Sequence, residues 1–328
     1  MNKMNKKVIA VITAIMLLAT CLTGCGGGGD KAADPARISF ASGGTSGTYY
    51  PIAGAISTLW TDKVEGLTVD VQSTGASAEN LNLINKGEAE VALVQNDVMY
   101  YAYTATESFA GVDKNESFLT LGTVYPEVVQ LVVAGDSGIE TLADLKGKAV
   151  SIGDVGSGVE SNAKQILAAA GIGLDEITVR NLGFGESANG IKDKTLDAAF
   201  VTAGTPTTAV TELAATNDIK VLSLDQAVID QLCADYGYYT EFVIPADVYG
   251  TDADAKTVAV KATIVVKADL SEELVYNMTK TLFENLDVVA ESHAKGKEMK
   301  LESAVDGVSV PLHPGAAKYY AEQGLDVE

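Results

Sequence analysis

The chain has 328 residues, with 44 acidic against 23 basic side chains and a formal charge of −21. That balance excludes nucleic-acid binding, which needs a basic face, and it equally excludes general attraction to anionic lipid. Three cysteines and two histidines leave little material for a disulfide framework or for acid–base catalysis.

Lys3, Lys6 and Lys7 precede an apolar stretch from Val8 to Leu22. It is too short to span a bilayer as a permanent helix and has the make-up of a secretory signal. It ends in Leu22-Thr23-Gly24-Cys25, which resembles the lipobox where signal peptidase cuts bacterial lipoproteins before a lipidated cysteine. Residues 1–24 are therefore expected to be a lipoprotein signal peptide and Cys25 its lipidation site. Residues 25–36, opening on Gly26 to Gly29, are expected to form a flexible tether. Such an anchor would hold the protein on the outer side of a membrane without spanning it. Cys21 would leave with the signal, so Cys233 has no partner and reads as a buried, inert thiol. Removing the three signal lysines takes the remainder of the chain from −21 to −24.

Ile38-Ser39-Phe40 alternates like a strand and runs into "ASGGTSGTYY", where glycines and hydroxyls crowd before an apolar-periodic run, Ile52 to Trp60. Gly66 to Val71 is the next strand, followed by Gln72-Ser73-Thr74-Gly75-Ala76-Ser77. A helix from Ala78 to Lys86 stops at Gly87. Glu90 to Val94 is a short apolar strand ending in Gln95-Asn96-Asp97. Leu119–Val124 and Val128–Val133 are strand-like, separated by Tyr125-Pro126-Glu127, and carry the chain to a second unit.

There the same order returns. Lys148 to Ile152 is a strand and Gly153-Asp154-Val155-Gly156-Ser157-Gly158 its glycine turn, then come a helix from Val159 to Ala170 and Gly171 as stop. Ile177 to Arg180 leads to Leu182-Gly183-Phe184-Gly185-Glu186-Ser187 and a helix to about Lys194. Leu196 to Val201 ends in Gly204-Thr205-Pro206. Near Tyr236 to Pro245 the chain is expected to return to the first unit, adding a strand, Thr257–Val266, a long amphipathic helix, Ser271–Val289, and a final helix after His313-Pro314-Gly315. Two related α/β units follow, each a doubly wound, mostly parallel sheet. The expected division is residues 37–123 plus 241–328 for one lobe and 124–240 for the other, with two hinge crossovers.

In such sheets ligands bind beyond the carboxyl ends of the strands, where the Gly, Ser, Thr and Asn clusters fall. "GGTSGTYY" matches neither GxGxxG nor the P-loop, which disfavours a dinucleotide. Glycines that merely permit a left-handed turn would not explain the hydroxyls beside them, although one hydroxyl is expected to cap the helix. Helix starts favour an anion, and the only arginines, Arg37 and Arg180, are badly placed to meet one. Backbone dipoles and hydroxyls would then meet the charge. No nucleophile elbow, HExxH or Cys–His spacing is present, and His313 before Pro-Gly suits a helix start. Asp97 and Glu127 could lie in the cleft, but each reads first as a capping or surface residue. No catalytic residue, cofactor or metal site is expected.

The segments "SGGTSGTYYPIAGAI", "STGASAENLNLINKGEAEVALVQND", "LADLKGKAVSIGDVGSGVE", "LDAAFVTAGTP" and "PLHPGAAKYY" resemble the TAXI family, the extracytoplasmic solute receptors of tripartite ATP-independent periplasmic (TRAP) transporters. The resemblance covers most of the chain after the signal. It implies a two-lobed periplasmic-binding-protein fold of the type with two crossovers (type II). It also implies a small carboxylate ligand, glutamate-like or a dicarboxylate, handed to an ion-gradient-driven membrane permease. Two departures stand out. Ala76 replaces a more usual glycine, and Thr205 lies in "AGTP" where Gly-Gly-Pro or Gly-Xaa-Pro is commoner.

Residues and resemblance together nominate Thr45, Ser46, Thr48 and Tyr49 as ligand-binding, with Thr74, Ser77, Asn80 and Gln95 behind them. Ser157 and Gly158 would offer helix-start N–H groups from the second lobe, joined by Gly204, Thr205 and Tyr239. Alternatives are the binding subunit of a sensor or of an ATP-driven importer with the same fold. An anchored enzyme is a third alternative, which the missing His, Cys and metal constellations disfavour.

Overall fold

The computed structural model describes residues 36–327. The expected signal peptide, the lipidation site at Cys25 and all but the last residue of the expected tether lie outside them.

The opening unit forms as β1 (Arg37–Ala41), α1 (Tyr49–Lys63), β2 (Thr68–Gln72), α2 (Ser77–Lys86), β3 (Val91–Gln95) and α3 (Asn96–Thr104). β1 lies between β2 and β3, parallel to both, pairing Ile38 with Val69 and Phe40 with Val91. α1 buries Ile52, Ile56, Leu59 and Trp60 along one stripe. Trp60 stacks on Phe40 at 5.7 Å and donates its indole N–H to the Met278 carbonyl at 2.8 Å. A buried indole thus keeps its hydrogen bond while it packs. α2 ends where Gly87 takes a left-handed φ of 72°, the conformation that closes a helix.

The second unit repeats the plan with β5 (Ala149–Ser151), α4 (Gly158–Ala169), β6 (Thr178–Arg180), α5 (Phe184–Lys192) and β7 (Ala198–Ala203). β5 is central and parallel to both β6 and β7. α6 (Thr208–Ala214), β8 (Ile219–Leu222), α7 (Gln226–Asp235) and β9 (Thr240–Ile244) complete this half.

Two long strands join the halves: β4 (Phe118–Ala134), between α3 and β5 in the chain, and β10 (Ala255–Lys267) after β9. The whole sheet has the order β2-β1-β3-β10-β4-β7-β5-β6, with β8 added on β4 and β9 on β10. The two expected strands around Tyr125-Pro126-Glu127 are therefore one strand of 17 residues. Pro126 is tolerated because β7 reaches only as far as Val128, so at Pro126 β4 has β10 alone as neighbour.

Hydrophobic residues separate into a core for each half. Ile38, Phe40, Trp60, Leu93, Tyr125, Ala262 and Tyr320 share one. Val129, Leu131, Val150, Ile166, Phe200, Val258 and Val260 share the other. The change of core falls between Tyr125 and Val129 along β4 and between Val260 and Ala262 along β10. The return to the first half is thus within β10, later than the Tyr236–Pro245 stretch. The antiparallel pairing of β9 with residues 255–259 keeps residues 240–259 on the second half. These paired strands form the alternating two-lobed sheet of the periplasmic-binding-protein fold.

The expected helix from Ser271 to Val289 is two helices, α8 (Glu272–Phe283) and α9 (Leu286–Ser292), broken at Glu284 and Asn285. The last helix, α10 (Pro314–Glu322), starts as expected: His313 Nδ1 accepts the Gly315 N–H at 3.2 Å. Cys233 is a free thiol, half-buried at the edge of the second core, and burial raises its pKa.

Candidate functional site

Helices α1, α2, α4 and α5 begin at the carboxyl ends of parallel strands, α1 and α2 in one half, α4 and α5 in the other. Between their N-termini lies a cavity of about 340 Å³. Its wall carries residues 43–49, 73–77, 157–159 and 183–186, together with Gln95, Glu127, Asp154, Thr202 and Ala203. Each of the first four segments is one of the expected glycine-and-hydroxyl clusters.

The halves touch directly around this cavity. Gly185 donates its N–H to Ser46 Oγ at 3.1 Å, and Ala209 donates to the Ser46 carbonyl at 3.2 Å. Thr48 Oγ1 donates to the Gly204 carbonyl at 3.2 Å, and the Ala78 N–H to the Gly156 carbonyl at 3.1 Å. Deeper in, Asn162 of α4 ties together groups from both halves. Its Oδ1 accepts from Gln95 Nε2 at 2.8 Å, and its Nδ2 donates to Asp97 Oδ2 and to the Tyr239 hydroxyl, both at 2.8 Å. Tyr239 in turn donates to Gln165 Oε1 at 2.6 Å.

Of the nominated residues, Thr45, Ser46, Thr48, Tyr49, Thr74, Ser77, Gln95, Ser157 and Gly158 line the cavity. Asn80, Gly204, Thr205 and Tyr239 do not. Asn80 is fully buried and donates to the Ser42 and Leu93 carbonyls, both at 2.7 Å, where it fastens the two turns beneath the cavity. Gly204 offers its carbonyl to Thr48 and to Thr207. Thr205 is buried behind the wall, and Tyr239 belongs to the Asn162 cluster.

The expected capping hydroxyl of α1 is absent. Thr48 stands at the N-cap, but its side chain crosses to the other half instead of binding a helix N–H. In the second half Ser157 does cap α4, accepting from the Glu160 N–H at 3.1 Å, while Glu160 Oε2 accepts from Gly156 N at 2.7 Å.

Sequence reasoning left out several wall residues. Phe184 lies between Gly183 and Gly185 in a turn already marked by its glycines, and a lone aromatic there was the available signal. Glu127, on the wall, and Asp97, outside it in the Asn162 cluster, read first as capping or surface groups, yet they are 2% and 0% exposed. Tyr49 donates to Glu127 Oε2 at 2.6 Å, and burial pushes the Glu127 pKa up to about 8. Burial likewise raises Asp97 to about 6, against the hydrogen bonds from Asn162 and the Val98 N–H. Asp154, also on the wall, is raised by burial first and then by the charges of Glu186 and Glu79. Thr202 Oγ1 is buried with no hydrogen-bond partner.

No Lys or Arg is among the wall residues. An anion there would meet helix N-termini and hydroxyls, as the sequence implied, and the ionised wall groups would oppose it. Among the described residues no cluster of three or more His, Cys, Asp or Glu could hold a metal ion, and no helix is long and apolar enough to cross a membrane.

A family model described as the NMT1-like family matches residues 40–324, nearly all of the described chain and every segment of the cavity wall. The chain belongs to the NMT1-like family. Solved structures resemble this NMT1-like protein in fold at low identity. One is PhnD1 from Prochlorococcus marinus in complex with methylphosphonate: 10% identity, 81% of this chain and 89% of that one, TM-score 0.53. Another is a binding protein component of an ABC phosphonate transporter from Pseudomonas aeruginosa: 14% identity, 80% and 79% covered, TM-score 0.52. A Bordetella bronchiseptica protein matches at 16% identity over 88% and 82%, with TM-score 0.53. For this NMT1-like chain they establish the two-lobed periplasmic-binding-protein fold.

Proposed function

We propose that this chain is an extracytoplasmic receptor that captures a small carboxylate, a glutamate-like amino acid or a dicarboxylate, and delivers it to a TRAP-type membrane permease. The observation that carries the reading is the cavity itself, where four helix starts and their hydroxyl-bearing turns converge from both halves of one hinged sheet. Helix N-termini attract negative charge, and a volume of about 340 Å³ fits a small metabolite. Opening requires rotation only about β4 and β10, the two strands that both halves share.

Capture and release without chemical change fits the wall. Its groups are hydroxyls, amides and carboxyls, with no nucleophile–base pair among the described wall residues. Thr45, Ser46, Thr74, Ser77, Ser157 and the Gly158 N–H are the groups assigned to ligand contact. Lipidation at Cys25 would keep the receptor beside its permease.

The second reading is the binding subunit of an ATP-driven importer, favoured by the phosphonate transporter component of similar fold. A thermal-shift screen of the full chain in detergent, against L-glutamate, succinate, 2-oxoglutarate and methylphosphonate, separates the ligand classes. A true ligand at about 100 times its dissociation constant stabilises by about 2.7 kcal/mol, a shift of a few degrees. A carboxylate is expected to give that shift. A response to methylphosphonate alone overturns the carboxylate assignment and favours the importer.

A further inference from the structure

Glu127 has no task in the receptor reading, although it lies on the cavity wall and is almost wholly buried. It sits on β4 between the two cores, so both halves pack around it. Tyr49 from α1 donates to its Oε2 at 2.6 Å, which leaves Oε1 for a ligand. The titratable groups that face it are Tyr49, Tyr125 on β4 and Asp97 at the start of α3. Asp154 and Glu186 stand elsewhere on the same wall. None of these is a cation; Lys295, buried against Gly204 outside the wall, gives its ammonium to Glu298 Oε1 at 2.6 Å. Thr202, on the neighbouring strand β7, lines the cavity with its hydroxyl buried and unpartnered, so a second polar group waits beside the carboxyl.

We propose that Glu127 takes part in ligand capture as the neutral acid, donating its carboxyl hydrogen to a carboxylate of the ligand, so that each anion enters the cavity together with a proton. An ionised Glu127 beside a captured carboxylate would place two like charges in a cavity whose wall carries no Lys or Arg to separate them. Two carboxylates sharing such a site hold one proton between them. The hydrogen bond from Tyr49 fixes which oxygen is already occupied and turns the other toward the ligand's acceptor. Burial holds the group neutral at ordinary pH, with a pKa of about 8. Below that value the proton is already on the protein when the ligand arrives; above it, the proton is taken from solvent on binding. Thr202 Oγ1 supplies a second donor to the same ligand group.

This inference rests on the carboxylate-receptor reading, and its test keeps the two separable. Isothermal titration of the full chain in detergent uses succinate, whose own carboxyls are ionised throughout the range, and L-glutamate, from about pH 7 to about pH 10. The wild-type dissociation constant is expected to rise about tenfold per pH unit above about pH 8. The binding enthalpy there is expected to vary with the buffer's ionisation enthalpy in the sense of proton uptake. Glu127→Gln, a neutral donor of the same shape, is expected to bind with neither dependence. The wild-type profile alone decides the matter should that variant not fold. Binding of succinate that is flat across this range overturns the proton-linked role and leaves the receptor reading intact. Affinity for L-glutamate that strengthens as pH rises also overturns it, since that is the sign of an ionised Glu127 paired with an ammonium group. Failure of every carboxylate to bind overturns the receptor reading itself.

Discussion

The turns at residues 42–48 and 153–158 have the same ingredients and use them differently. Gly153 and Gly156 have φ of +89° and +76°, so the second turn needs glycine for backbone shape. Gly43, Gly44 and Gly47 are not among the described glycines with positive φ. Gly47 is small for a different reason: a Cβ there would lie 3.3 Å from the Phe184 ring of the other half, whereas one on Gly43 would make ordinary contact with Tyr49 at 3.4 Å and one on Gly44 would meet nothing within 4 Å. The hydroxyls divide in the same way. Ser157 accepts from its own helix, whereas Thr48 and Ser46 reach across to the opposite half. Similar composition therefore marks one turn whose glycines shape its backbone and whose Ser caps its own helix, and another whose hydroxyls reach across to the opposite half.

The sharpest way to break this comparison is at Gly158, where the backbone of the second half lies against Gln95 of the first. A Cβ there would overlap the side-chain amide of Gln95. Gly158→Ala is expected to force the halves apart, at a cost of roughly 3 kcal/mol in the closed arrangement and about a hundredfold in ligand affinity. Gly43→Ala, with only ordinary contacts to meet, should change affinity by less than about threefold. Titration of both variants with the ligand found by thermal shift, and small-angle scattering for the lobe separation, check the contrast. Equal losses would mean that the two turns do the same job after all.

Asn162 offers the next largest effect, because it joins Asp97 and Gln95 of the first half to α4 of the second. Asn162→Ala leaves a buried carboxyl and a buried amide each short of a partner, which should cost about 2 kcal/mol. The effect carries a pH signature. Asp97 is raised from 3.8 to about 6 in the folded protein, so the native state holds a proton that the unfolded chain releases. Its contribution is fully present below the ordinary carboxyl value and is lost as pH rises toward 6. Removing the Asn162 hydrogen bond, which lowers that pKa, should carry the loss to higher pH. Urea denaturation from about pH 4 to about pH 8 measures both; an unchanged profile would take Asp97 out of the interface.

Much of this was legible in the sequence, and what was not has identifiable causes. Strand, glycine turn and helix recur in order because period-2 and period-3.6 patterns and Gly stops are local signals, and the structure forms them nearly where they were read. Nine of the nominated positions line the cavity because turns after parallel strands must face that edge. Asn80 failed for a local reason that could have been read: with Ser77, Leu81 and Ile84 it lies on the helix stripe that faces the sheet. Tyr239 and the true return point in β10 depend on the antiparallel pairing of β9 with β10, a contact between strands that no local pattern reveals. Glu127 was underrated because an acid after Pro126 reads as a loop. Nothing local reveals that β4 runs straight through both cores, and that continuity is what buries the carboxyl.

Ala76 extends the comparison to a third turn and gives the smallest expected effect. It occupies the N-cap position of α2 with φ 71° and ψ −145°, a region that belongs to glycine. The sequence had marked this position as the one where alanine stands for a more usual glycine. The conformation is held in place from outside the residue: Thr74 Oγ1 accepts the Ala76 N–H at 3.1 Å, and Glu79 Oε2 accepts the Gly75 N–H at 2.6 Å. Replacing the side chain with hydrogen removes the steric penalty but gives the unfolded chain more freedom, and the two effects oppose each other. For a residue so far from its allowed regions the strain, of order 1–3 kcal/mol, exceeds the entropy of about 0.4–1 kcal/mol. Ala76→Gly should therefore stabilise the protein by about 1 kcal/mol, a rise of a few degrees in Tm, while ligand affinity changes little. A fall in Tm would mean that this turn, like residues 42–48, is shaped by what packs against it and carries no backbone strain.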